Sequence, residues 1–143
     1  EHGWTSNLFL DELVDGGGPI LFGPIGIADG FGEASGGDVA IVKEMLDRGL
    51  HVSLMTDCPC SAADLLMISA GEAVRNGVDH LQALKMITIN PAEALGVSDR
   101  IGSIKAGKDA DLAIFAGVPA VDVAATVRYT VIDGKIAYDS EKE

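Results

Sequence analysis

Three short strand-like segments, each ended by a turn and followed by a stretch of helical spacing, constrain what this chain can fold into more than any other feature. Glu1-His2-Gly3-Trp4 reads as the end of one strand, Pro19 to Pro24 (PILFGP) as a second, and the run from His51 to Pro59 (HVSLMTDCP) as a third. Strands that alternate with helices pair in parallel, because a crossover helix carries the chain back to the same end of the sheet. The second run is apolar on both faces, as strands covered on both sides are. The third ends where Pro59 removes a ladder donor. Asp57 therefore falls at a strand's carboxyl end, the rim where α/β folds bind ligands. An acid there also has an ordinary use, which is to bond backbone amides in the turn.

Helical spacing predicts a first helix over 6–14, capped by Ser6 or Asn7 and stopped at Gly16-Gly17-Gly18. A second spans 39–46 with Asp38 as cap and Gly49 beyond its end, and a third spans 61–74 and ends near Gly77. Asp79 caps a fourth over 80–89. A short fifth covers 92–95, with Asn90 as cap, Pro91 opening it and Gly96 closing it. Beyond Ser98 the texture changes to short β segments at 102–104, 111–115, 127–132 and 135–138. Asp133-Gly134 is the strongest hairpin signal, because both central residues of that turn need positive φ. Asp139 to Glu143 reads as a charged tail that frays.

With 143 residues the chain can bury one real core, yet a barrel enzyme typically needs roughly 250. A net charge of -12 argues against a nucleic-acid partner, since phosphate binding needs a basic stripe. No apolar run is long enough to span a membrane, so no membrane partner is expected. The only cysteines, Cys58 and Cys60, flank Pro59. Such neighbours seldom meet disulfide geometry, which favours a reduced, cytoplasmic setting with both thiols packed in the loop after Asp57. A C-x-C pair can bind a soft metal, but no second Cys/His pair lies nearby.

Several segments together resemble the metal-dependent amidohydrolase superfamily, close to its imidazolonepropionase-like members. GLHVSLMTDCP resembles the eighth barrel strand with its metal-binding aspartate. LQALKMITINPAEALGVSDRIGSIKAGKDADLAIF is similar to the family's last helices and its return into a β-sandwich, and VRYTVIDGKIAY to the closing hairpin of that sandwich. The resemblance implies an α/β fold: a partial (β/α)8 TIM-type barrel, about its last three strands, plus part of a C-terminal β-sandwich. Residues 1–97 would form the barrel portion and 98–143 the sandwich segment. Glu1-His2-Gly3 would end the sixth strand and PILFGP would be the seventh. The first-strand His-x-His pair, the fourth-strand lysine and the fifth-strand histidine have no counterpart here.

The chemistry implied is hydrolysis of a C-N bond in an amide or cyclic amide by a metal-activated water. One or two divalent ions, usually zinc, acidify the water and polarise the carbon under attack. Asp57 would ligate the metal and act as the catalytic proton shuttle, and His2 would offer an imidazole nitrogen, either as a second metal ligand or as a hydrogen bond to the hydroxide or substrate. The substrate class is a small amide-type molecule. Two ligands fall short of the three that a catalytic zinc site uses, so the chain by itself should bind metal weakly and be inactive. A partial barrel leaves strand edges unpaired, which predicts a homo-oligomer. His51 lies at a strand's amino end and His80 in the first turn of a helix, where solvation is expected. Glu33 and Asp29 lie in the Gly-rich loop after PILFGP, and Lys105 and Lys108 read as turn chemistry and solvation. Two other readings stay open: a non-catalytic scaffold or oligomerisation module, and a small ligand-binding α/β domain without metal.

Overall fold

The structure, a computed structural model, describes residues 2–25 and 38–142. It is a mixed α/β arrangement with two small sheets. The first contains β1 (Ile20–Phe22) and β2 (Val52–Leu54), paired in parallel with Ile20 opposite Val52 and Phe22 opposite Leu54. His2 adds a single parallel bridge to Phe22 on the other side of β1. The three strand-like segments therefore lie side by side in chain order, and their carboxyl ends share one edge. Helices α1 (Leu10–Gly16), α2 (Ile41–Asp47), α3 (Leu66–Arg75), α4 (His80–Met86) and α5 (Ile89–Ala94) complete this part. The second sheet is antiparallel, in the order β3 (Leu112–Ala116), β4 (Thr126–Ile132), β5 (Lys135–Asp139).

The core gathers where the helices cover the parallel strands. Phe22, Val42, Met45, Val52 and Met86 are fully buried, and Ala70, Ala73 and Ala83 let α3 and α4 approach closely. Burial of this apolar surface is the main stabilising term, at about 25 cal/mol per Å². The antiparallel sheet differs, for none of its strand residues is buried. Ile114, Ile132 and Ile136 are exposed on it. Its hairpin forms as expected, with Asp133 at φ 50° and Gly134 at φ 73°. The turn is tied to the entry of β3 by the Asp133 N–H donating to Asp111 Oδ1 at 2.8 Å.

Several elements depart from the sequence reading, two of them because the side chain expected to cap bonds another partner. The first helix begins as a 3₁₀ turn at Ser6–Leu8, and the α-helix runs on from Leu10 to Gly16. The Ser6 hydroxyl donates backward to the Gly3 carbonyl at 2.6 Å instead of capping. The third helix likewise opens with a 3₁₀ turn at Ala63–Leu65. Asp79 caps α4 through bonds from the Leu81 and Gln82 N–H groups, but α4 ends at Met86 and α5 already starts at Ile89. Asn90 is not a cap. It lies buried within α5, and its Nδ2 donates to the Val52 carbonyl at 2.7 Å, fastening that helix to β2.

Residues 102–104 form no strand. Lys108 is not simply solvated, since its ammonium donates to the carbonyls of Ser98 and Ile101 and to the Ser103 hydroxyl. The start of the tail is tied back as well: the Asp139 carboxylate accepts from Lys142, which holds it below the usual carboxylate range, and from the Glu141 N–H.

Two tight points carry expected outcomes. A Cβ at Gly23 (φ 140°) would lie 2.1 Å from the Met55 carbonyl oxygen, so Gly23→Ala should cost about 3 kcal/mol or more in denaturant unfolding. Asn90→Ala should cost about 1–3 kcal/mol by the same measurement, because the buried Val52 carbonyl loses its side-chain donor.

Candidate functional site

The shared carboxyl edge of the parallel segments brings His2 and Asp57 together although 55 positions separate them. Two ladder bonds set this up. The Met55 N–H donates to the Phe22 carbonyl at 3.0 Å, and the Gly23 N–H donates to the His2 carbonyl at 3.1 Å. His2 and Asp57 thus leave the sheet on either side of the end of β1. Their side chains reach across it, with Nε2 of His2 3.4 Å from Oδ2 of Asp57. Both are about one-third exposed, at 35% and 38%.

Each backbone is bent into the left-handed region to do this, with φ 71° at His2 and 52° at Asp57. Asp tolerates that region because its short carboxylate can bond locally, and such residues collect at functional rims. After Asp57 the chain closes a tight turn, the Cys60 N–H donating to the Asp57 carbonyl at 2.7 Å. The Ser61 hydroxyl donates to the Thr56 carbonyl at 2.5 Å and fixes the loop's base. The turn is made by backbone and serine, so the Asp57 carboxylate is left for His2.

The separation of 3.4 Å is long for a hydrogen bond. It does match the distance between two ligand atoms on one tetrahedral zinc, about 3.4 Å for Zn–N and Zn–O bonds near 2.0–2.2 Å. Imidazole and carboxylate are also suitable donors for such an ion. Among the described residues no group of three or more His, Cys, Asp or Glu side chains is placed to hold a metal. The pair is thus a fitting but incomplete donor set.

The other candidates lie elsewhere. His51 sits at the amino end of β2, away from Asp57, with Nε2 3.1 Å from the Asn90 carbonyl and 3.6 Å from Glu93. His80 is not fully solvated as expected, because its Nε2 is buried without a partner. Glu33 and Asp29 lie outside the described residues. Cys58 and Cys60 are free, and contrary to the packed thiols expected they are exposed, since the turn closed by the Cys60 N–H on the Asp57 carbonyl leaves all of residues 58–60 at the surface.

Sequence reading missed Trp4, whose indole stacks on the His2 imidazole with ring centroids 4.6 Å apart. An aromatic two residues after a histidine, with a glycine between, was the available signal. No helix is long and apolar enough to cross a membrane among the described residues.

The profile of the Amidohydrolase family matches residues 32–137, a span that includes Asp57 and not His2. The chain is 35% identical over 105 residues to an imidazolonepropionase of Thermoplasma acidophilum, a match covering 67% of this chain and 25% of that protein. It is 36% identical over 115 residues to an N-substituted formamide deformylase of Arthrobacter pascens, covering 68% of this chain and 21% of that one. A solved amidohydrolase from Thermotoga maritima superposes with a TM-score of 0.89 at 32% identity, covering 96% of this chain and 36% of its own. The chain spans a quarter or less of the length of the curated relatives it matches.

With both thiols exposed, a thiol-specific disulfide reagent should titrate two groups in the native chain without denaturant. A titre of two only after unfolding would contradict the exposed turn.

Proposed function

The chain belongs to the amidohydrolase family, and on that premise we propose that it supplies the C-terminal portion of an enzyme hydrolysing the C-N bond of a small amide or cyclic amide. Residues 1–97 are read as the last three βα units of a TIM-type barrel and 98–143 as part of a β-sandwich. Three parallel segments in chain order and an antiparallel sheet with no buried residue support that division.

The observation that carries the reading is the approach of His2 Nε2 to Asp57 Oδ2 at 3.4 Å across the end of β1. His2 and Asp57 would hold a divalent ion, zinc by donor type and spacing. When bound, such an ion supplies Lewis acidity and brings the pKa of adjacent water toward neutrality. Asp57 does the proton work: one carboxylate oxygen faces His2, and the other is free to take a proton from the attacking water and deliver it to the leaving nitrogen. An amide side chain could not accept that proton. His2 holds the far side of the same locus with an imidazole nitrogen. Two donors fall short of the three a catalytic zinc site uses, so the 143 residues alone are read as inactive.

A second reading is favoured by the two-donor count. In it the chain is a non-catalytic scaffold, and Asp57 serves only its turn. Asp57→Asn separates the two, because Asn is at home at φ 52° and the fold should persist. Titration of the chain with Co(II) or Zn(II) should give weak binding that is lost in both Asp57→Asn and His2→Ala. Equal behaviour of Asp57→Asn and the unaltered chain in everything but stability would establish the scaffold instead.

Upstream coding sequence should contain a His-x-His and a further histidine, and their absence would sink the assignment of activity. The apolar strand faces left exposed on β3–β5 favour self-association, and light scattering should give a mass above one chain.

A further inference from the structure

We propose that Trp4 is the positioning residue of His2, fixing the imidazole in the plane that turns Nε2 toward Asp57. The inference rests on the reading of His2 as a donor only for its consequence in metal affinity; the hold on the ring stands on contacts. The two rings lie 15° from parallel with centroids 4.6 Å apart. An extended chain cannot place side chains of residues i and i+2 in that stack, because same-side neighbours on a strand stand further apart. Here the chain folds back at once, with φ 71° at His2 and 66° at Gly3. The fold is pinned where the Gly3 carbonyl accepts from both the N–H and the hydroxyl of buried Ser6. Gly3 has little room for a side chain, for a Cβ there would lie 3.1 Å from Phe22 Cδ2.

Trp4 itself packs against the hydrophobic core. One face of the imidazole is therefore set against an anchored surface. That matters because χ2 of histidine is a broad torsion that covalent geometry does not decide. Stacking selects the plane, and Asp57 selects which nitrogen points across β1. The bridge of His2 to Phe22 fixes its backbone and leaves its ring torsions to the side-chain contacts.

Trp4 is the only tryptophan of the chain, so the stack is readable in the unaltered protein. Proton NMR should show the His2 Cε1–H resonance displaced upfield by the indole, with through-space contacts between the two rings. Trp4→Leu, which keeps apolar bulk without a flat face, should lose the displacement, and Trp4→Phe should restore part of it. His2→Ala should change the Trp4 emission. In Co(II) titrations Trp4→Leu should weaken binding about tenfold or more, with Trp4→Phe recovering most of the loss.

An undisplaced His2 resonance in the unaltered chain, or one unmoved by Trp4→Leu, would overturn the proposal whether or not the variant folds well. If the displacement is present and lost in Trp4→Leu while the unaltered chain takes up no Co(II), Trp4 still positions His2 and it is the metal-donor reading that fails.

Discussion

Parallel pairing of β1 with β2, extended by the bridge from His2 to Phe22, is the constraint on which the rest of the structure depends. Parallel strands share a direction, so their carboxyl ends must lie together. Residues far apart in sequence thereby reach one rim without any loop having to carry them there. The helices that return the chain between strands cover the sheet and supply the apolar burial that stabilises it. Asn90 adds a specific fastening by bonding the Val52 carbonyl, which couples α5 to the strand that leads into Asp57.

The close approach of Gly23 to the Met55 carbonyl shows how little slack this edge has. At the rim the backbone leaves the sheet through left-handed conformations at His2 and Asp57. Ladder bonds and the turn bonds of Cys60 and Ser61 hold those conformations in place. The site thus rests on a rigid strand end on one side and a closed turn on the other. Trp4 belongs to the same construction, since the fold-back at Gly3 that ends the first segment is what lays the indole against the imidazole.

The antiparallel sheet obeys different physics. Its hairpin is set locally by Asp133-Gly134, and its register slips by one residue at Ile114/Phe115 and again at Thr130/Val131. No strand residue in it is buried, so local turn chemistry and ladder bonds define it more than a core does. Its connection to the rest runs through the β3–β4 loop, where the Ala120 carbonyl lies against Gly71 of α3 and Ala120 packs on the main core.

The order of elements was legible from sequence because periodicity and turn residues are local: apolar runs, Asp79 as a cap and Asp133-Gly134 as a hairpin act within a few positions. Asp57 was legible for the same reason, as an acid between a strand and a proline. Helix starts at Ser6 and Asn90 were misread because each side chain had a better partner elsewhere, Gly3 for one and Val52 for the other. Solvation fails for Lys108 and His80 in different ways: Lys108 finds its acceptors within ten residues, in the turn assigned to it, whereas the buried Nε2 of His80 arises only when segments pack. Sequence by itself determined which residues could ligate, cap or turn, because those capacities belong to single side chains. Tertiary structure alone decided that His2 stands 3.4 Å from Asp57 with Trp4 on its face, because that geometry depends on strand pairing and on a chain reversal that no residue type encodes.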